Sequence, residues 1–130
     1  MVSVMQRVVA VLLCLLPSAL AALGVGGIEL SSGLNQPFDA KIAIIGAKQE
    51  ELADVKAVLA EKDVFDRAGL ARPYSLNALR FEVIPSEDGN GYIHITSHDG
   101  MREPALEFII EVKWRSGSLQ RKYSVLLEPK

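Results

Sequence analysis

The stretch that decides the fold is ALEFIIEVKWRSGSLQRKYSVLL, residues 105–127. Its first part alternates apolar and polar residues over the longest row in the chain, as a strand with one buried face does. The apolar members of that row are Leu106, Phe108, Ile110, Val112 and Trp114. Residues 115–118 carry a turn signal, and Tyr123, Val125 and Leu127 then share a face. The pattern predicts an antiparallel hairpin of two long strands, each with one apolar side.

Shorter alternating segments precede this hairpin, separated by Gly-, Asn- and Asp-rich turns such as residues 87–91 and 98–100. They are residues 28–31, 38–44, 79–83 and 92–96. About six strands are therefore expected. Sequential antiparallel strands with one apolar face each most simply form two packed layers.

The apolar period changes to that of a helix after the second strand. Residues 49–60 place Leu52, Val55 and Leu59 on one helical face. A shorter helix, capped by Asp63, is expected to end at Gly69 in a left-handed conformation. The sequence thus predicts a mainly β fold: a two-layer antiparallel sandwich, Ig-like in outline, with a two-helix insertion after the second strand.

The first residues have the order of a secretory signal peptide. Arg7 precedes the apolar run 8–16, and small residues follow up to Ala21. We expect a signal peptide at residues 1–21 and a domain at 22–130 that is exported to the periplasm, with no membrane span after cleavage. The alternative is an uncleaved inner-membrane anchor, which the run is too short to form, because a spanning helix needs about 20 residues. Cys14 would leave with the signal, so the mature domain must be stabilised by packing rather than by a disulfide.

The charge of the mature domain excludes some partners. The chain has 14 Lys and Arg against 16 Asp and Glu, and of these only Arg7 lies in the predicted signal. A mildly acidic domain argues against nucleic acid, which requires a basic face. It also gives no reason to expect binding to an anionic membrane surface.

Residues that could carry catalysis are few. A catalytic zinc site needs about three protein ligands, and the chain has only His94 and His98. Ser97 and Asp99 flank His98, but adjacency in sequence is not a catalytic triad, which is defined by geometry. The sequence predicts no enzyme, no metal and no cofactor. A metal-dependent hydrolase that uses the two histidines is the weakest hypothesis.

Three residues are candidates for binding a partner. Trp114 ends the long apolar row, where it either packs at the rim of the core or offers an exposed aromatic ring to a partner. Arg102 and Glu103 open the longest strand, where they either position a partner or pair with each other.

Several motifs in chain order resemble the N-terminal periplasmic domain of the FimV family, the TspA or HubP-like polar motility and pilus-assembly proteins. The first is LGVGGIELSSGLNQPFDA at residues 23–40. The others include FDRAGL at 65–70, REP at 102–104, EVKW at 111–114 and YSVLLEP at 123–129. Gly33 and Arg115 depart from the residues that the family often has there, and both lie in predicted turns.

The resemblance implies a non-catalytic periplasmic interaction module with a role in type IV pilus assembly, twitching motility or polar envelope organisation. Its expected partners are envelope proteins, among them pilus-assembly or cell-wall-associated proteins. Family members typically continue into a LysM module that binds peptidoglycan; these residues do not include one, so we expect no direct peptidoglycan binding.

The alternative function is a free-standing, chaperone-like periplasmic sandwich that binds a client by strand addition. A long exposed edge strand with alternating apolar side chains would favour it. Edges that are all covered or charged would exclude it.

Overall fold

The computed structural model describes residues 23–86 and 90–129. The predicted signal peptide and its cleavage site, the centre of the predicted turn at 87–91, and residue 130 lie outside the described residues. Within the two ranges the chain forms seven strands, two short α-helices and one 3-10 helix. They are β1 Gly24–Leu30, β2 Pro37–Ile45, α1 Gln49–Leu52, β3 Lys56–Leu59, α2 Lys62–Arg67, the 3-10 helix Tyr74–Ala78, β4 Arg80–Pro85, β5 Gly91–Gly100, β6 Ala105–Trp114 and β7 Gly117–Leu126.

The strands form two antiparallel sheets with the order β1-β2-β5-β4 and β3-β6-β7. Lettered A to G in chain order, these are the sheets ABED and CFG of a seven-stranded constant-type immunoglobulin sandwich. The predicted two-layer antiparallel sandwich is therefore confirmed. Its four edge strands are β1 and β4 in one sheet and β3 and β7 in the other.

The predicted hairpin is the longest ladder of the sandwich. The strands β6 and β7 pair from Ala105 opposite Leu126 to Trp114 opposite Gly117. The inward residues are buried, as the alternation predicts: Leu106, Phe108, Ile110 and Val112 on β6, with Tyr123 and Val125 on β7. The period-two pattern predicts these burials because that face of both strands lies on the core. Ile109, on the opposite face of β6, is also buried, which the pattern does not predict.

An aromatic pair joins the two sheets at the centre. Phe38 of β2 and Phe108 of β6 meet edge to face, with ring centroids 6.4 Å apart and ring planes at 83°. Both rings are almost completely buried. The strands that they join correspond to B and F, which a disulfide links in antibody domains. Aromatic packing connects the same two strands in this chain.

The predicted first helix is wrong beyond its first turn. The helix α1 ends at Leu52, and Lys56–Leu59 forms the strand β3, which pairs with β6. Ala57 is buried while Val58 is exposed, which is the alternation of a strand. Pairing with the central strand of the sheet outweighs the local helical spacing, since propensity is a weak prior that tertiary context overrides.

The second predicted helix is confirmed as α2, with one correction at its start. Glu61, not Asp63, is the N-cap residue, and Asp63 lies in the first turn. Gly69 adopts φ 74°, and the Leu70 N–H donates to the Phe65 carbonyl at 2.9 Å. The left-handed glycine therefore ends the helix as the sequence indicates.

Candidate interaction site

An apolar groove of about 670 Å³ runs between β3 and β4, the edge strands on one side of the sandwich. We call it the edge groove. It is lined by Leu52, Ala53, Val55, Lys56, Ala57, Val58, Phe81, Glu82, Val83 and Pro85. Cα atoms of the two strands approach within 8 Å. The groove is thus the open seam between the two sheets.

Among the described residues no strand pairs with the outer edge of β4, and the backbone groups of that edge border this groove. The Ser86 N–H donates to the Asn90 carbonyl at 2.6 Å, which makes these two residues a hydrogen-bonded pair. Bonded pairs alternate along an antiparallel ladder, so the next ones in register are Ile84 with Tyr92 and Glu82 with His94. The N–H and C=O groups of Phe81 and Val83 must therefore point away from β5, toward the open edge.

The other wall follows the same rule. The Ala60 N–H donates to the Ile109 carbonyl at 2.9 Å, and the pair of Val58 with Glu111 follows two residues along. The backbone groups of Ala57 and Leu59 therefore face away from β6. Both rims of the edge groove consist of backbone donors and acceptors, and its floor is apolar.

Charge is balanced within the edge groove. Its charged lining residues are Lys56 and Glu82, one of each sign on opposite walls. Arg80 and Glu82 are exposed on β4, and Pro85 ends the strand. Charged residues and proline usually prevent an edge strand from pairing with another chain. In β4, the backbone between Arg80 and Pro85 remains accessible for such pairing.

On the opposite side of the sandwich, side-chain hydrogen bonds join the edge strands β7 and β1. The Arg121 guanidinium donates to the carbonyls of Val25 and Gly26, and the Tyr123 hydroxyl donates to the Gly26 carbonyl at 2.8 Å. These contacts hold the irregular part of β1, whose register shifts between Val25 and Ile28, against β7. Burial raises the pKa of Tyr123 above its ordinary value, and the positive charge of Arg121 partly opposes that shift.

The three residues predicted to bind a partner do not meet. Arg102 is exposed and borders a polar cavity of about 700 Å³ together with Asn35, Asp99 and Gly100. Glu103 beside it is half-buried. Trp114 lies at the far end of β6, a strand about 30 Å long at roughly 3.3 Å per residue. A single small partner surface cannot contact both ends of that strand.

Trp114 is half-buried and packs against the core. Its indole ring also covers the hairpin turn, where a Cβ added at Gly117 would lie 3.3 Å from the ring. Rim packing, one of the two interpretations offered by the sequence, therefore describes its contacts.

Both histidines have carboxylate neighbours. His94 Nε2 lies 2.8 Å from Asp39 Oδ1 on the outer face of the four-stranded sheet. His98 is exposed beside Asp99, and the predicted turn at 98–100 is wrong, since β5 continues to Gly100. Among residues 23–86 and 90–129, no group of three His, Cys, Asp or Glu side chains is placed to hold a metal ion.

The Ser97 hydroxyl has a structural task. It donates to the Asp99 carbonyl at 2.7 Å and accepts from the Phe38 N–H at 2.8 Å. That hydroxyl bridges β2 and the end of β5 where their register shifts. Its hydrogen bonds are to backbone, and neither histidine is its partner.

Sequence reasoning missed the edge groove. The groove depends on β3, which was predicted as helix, and on β4 being an edge strand, which no local pattern reveals. The only local signal was the short, mostly apolar run at 56–59, which is too short to separate strand from helix.

Strand order and the open seam define this protein as a small Ig-like sandwich domain. The family model of the FimV N-terminal domain, described as an Ig-like domain, matches residues 23–130. The chain therefore belongs to the FimV N-terminal domain family, and the resemblance noted in its motifs is confirmed.

Two relatives are the proteins named motility hub protein FimV in two strains of Pseudomonas aeruginosa. Each is 39% identical over 107 residues, which cover 82% of this chain and 12% of the relative. The chain thus spans about an eighth of the length of the curated relatives it matches. No solved structure matches the chain.

Proposed function

We propose that this chain is a non-catalytic interaction module of the periplasm that serves the motility machinery as a FimV-type N-terminal domain. The observation that carries the proposal is the family match over residues 23–130 together with the 39% identity to the motility hub proteins. The word "motility" belongs to those longer relatives, and this chain inherits at most the part played by their matching region.

Three further features support a binding role. The Ser97 hydroxyl is bonded to two backbone groups, and neither histidine is its partner, so Ser97 and the histidines do not form a nucleophile–base pair. The predicted signal peptide would deliver the domain to the periplasm, and no helix among the described residues is long and apolar enough to cross a membrane. The expected partners are envelope proteins of pilus assembly or of the cell wall, for which Arg102, Glu103 and Trp114 remain predicted contact residues.

A domain exchange tests this function. The matching region of Pseudomonas aeruginosa FimV is replaced by residues 23–130 of this chain, and twitching zones are measured against strains with intact FimV and with that region deleted. We expect the exchange to restore at least half of the difference between the two strains. A matched control carries Phe108→Asp in the exchanged domain, which buries a charge in the core and should abolish the rescue. Zones equal to those of the deletion strain, with FimV present at normal level on a blot, would refute the proposal.

One observation favours the alternative of a chaperone-like sandwich: the unpaired edge of β4. The two functions share this edge and differ in the client. A chaperone holds an unfolded client, whereas an interaction module binds an extended segment of a folded partner.

A further inference from the structure

Building on the proposed interaction role, we propose that the edge groove binds an extended, apolar and uncharged segment of a partner protein. The segment adds to β4 as an antiparallel strand and places alternate side chains in the seam between β3 and β4. The inference names the binding surface and the chemistry of the partner.

The backbone of β4 supplies the recognition groups. Phe81 and Val83 each present one N–H and one C=O toward the open edge, and Pro85 presents a carbonyl there without an N–H. The spacing of two residues equals the repeat of a strand, so an incoming segment in extended conformation meets every one of these groups. An antiparallel arrangement continues the pairing of the rest of the sheet and is the more stable per residue.

The side chains of the edge groove select for apolar residues. In an antiparallel bonded pair the opposite side chains lie on the same side of the sheet. Phe81 and Val83 are half-buried and line the groove, so the residues paired with them point into the same seam. The seam holds about 670 Å³, within the range of roughly 300–1,000 Å³ that is usual for ligand sites.

Charge complementarity requires an uncharged segment. Lys56 and Glu82 are exposed and of opposite sign, so the lining of the groove favours neither a cationic nor an anionic segment. Asp54, which lies next to the groove, is already paired with Arg115 at 3.2 Å. A charged residue entering the apolar seam would lose its hydration without gaining a counterion of its own.

The geometry also restricts where the segment lies. A strand bonded to both β3 and β4 would need its two neighbours about 9.6 Å apart, twice the normal strand spacing. The Cα atoms of β3 and β4 approach within 8 Å, so the backbone of the segment lies along β4 alone and only its side chains enter the seam. On the other side of the sandwich, the side chains of Arg121 and Tyr123 bind backbone carbonyls of β1, so β7 does not border an equivalent open seam.

The probe for the experiment is the peptide Lys-Val-Thr-Val-Thr-Val-Lys, acetylated and amidated, added to the purified processed chain. Its lysines keep it in solution and lie on the threonine side of the strand, outside the seam. Binding is followed by NMR and by exchange of backbone amide hydrogens. We expect shifts confined to β3, β4 and their neighbours, with a dissociation constant of about 1 mM or tighter. The amides of Phe81 and Val83 should exchange at least about tenfold more slowly when the peptide is bound, while those of Gln120 and Lys122 should not change.

Methylated peptides test the pairing without altering the protein. The peptide N–H groups that face β4 belong to the residues whose side chains enter the seam, which are the valines. Methylation of the valine nitrogens should abolish binding, and methylation of the threonine nitrogens should leave it within about threefold. Equal loss with both peptides, or shifts on β7, would overturn the proposal.

Two proline variants provide the matched pair on the protein side. Val83→Pro removes an edge-facing N–H on β4, and Gln120→Pro removes one on β7. Neither N–H belongs to the hydrogen-bond ladder with the neighbouring inner strand, so both ladders are retained. Only Val83→Pro should abolish peptide binding. Without peptide, the amides of Phe81 and Val83 could become more protected from hydrogen exchange as the protein concentration rises. That result would show that a second copy of the chain occupies the groove, and it would overturn the proposal of a partner segment.

The exchange strain separates this inference from the proposed function. If the exchanged domain supports twitching and its Val83→Pro form supports it equally, the edge groove is not the functional surface. The proposed role as an interaction module would then still stand. If the unmodified exchange fails while the peptide binds as described, the proposed function fails and the binding surface stands.

Discussion

Replacing Gly100 by alanine should strongly destabilise the sandwich, although it adds a single methyl group. Gly100 ends β5 directly beneath the turn that joins β1 to β2. A Cβ at this position would lie 2.4 Å from the Asn35 carbonyl oxygen and 2.8 Å from its carbon. Both are backbone atoms, so no side-chain rotation relieves the clash.

The cost follows from what must move. Ordinary contact requires a separation of roughly 3.5 Å, so the turn must retreat by about 1 Å. Two backbone hydrogen bonds tie the same segments: Asn35 N–H to the Met101 carbonyl at 2.8 Å, and Met101 N–H to the Gln36 carbonyl at 3.0 Å. Weakening both without breaking them costs about 0.5 kcal/mol each, and overpacking adds about 1–3 kcal/mol. We expect a loss of about 2–4 kcal/mol.

Urea denaturation followed by circular dichroism measures this loss, and a thermal scan should show Tm lower by about 10–20 °C. Gly27→Ala is the matched control, since an added Cβ there meets nothing within 4 Å. It should leave stability within about 0.5 kcal/mol or raise it slightly. If Gly100→Ala unfolds within 0.5 kcal/mol of the wild type, or if both variants lose the same amount, the steric reasoning is wrong.

Two further substitutions probe the fastening of β1 and the core. Burial raises the pKa of Tyr123 above 10.0, against the opposing charge of Arg121, so the folded state holds the phenol proton more tightly than the unfolded state. The stability that the protonated phenol provides is complete below pH 10 and is lost as pH rises through the raised pKa. Tyr123→Phe should lower the free energy of unfolding by about 1 kcal/mol at pH 7, and urea titrations of this variant should show a flatter decline of stability above pH 10. A parallel decline in both proteins would contradict this. Phe108→Ala removes a fully buried ring and should cost about 3–5 kcal/mol in the same assay, whereas Tyr74→Ala, at a ring 87% exposed, should stay within about 0.5 kcal/mol. Similar losses for the two would show that Phe108 is not the core residue that its burial indicates.

The family match and the sandwich itself were readable from the chain because their signals are local. The alternation from Leu106 to Val112 indicates which face of the strand lies on the core, and a period of two persists whatever the strand pairs with. Gly69 marks a helix end by the same kind of local rule, since its positive φ is easily adopted only without a Cβ.

The candidate site was not readable, because nothing in it is local. The edge groove exists because Lys56–Leu59 pairs with β6 across more than fifty residues of chain, which turned a predicted helix into an edge strand. The sequence already placed Arg102 and Trp114 at opposite ends of the longest predicted strand, but only the tertiary structure shows that Trp114 packs against the core and that Arg102 borders a polar cavity.

By itself, the sequence determined the order of apolar faces, the layers that they must form and the family to which the motifs belong. Only the tertiary structure decided which strands stand at the edges, and therefore which backbone groups of Phe81 and Val83 are left to bind. The physical reason is that side-chain burial follows from the pattern of neighbouring residues, which the sequence shows directly. Hydrogen-bond pairing forms between segments that are distant in the chain, and the local sequence of a strand does not identify its partner.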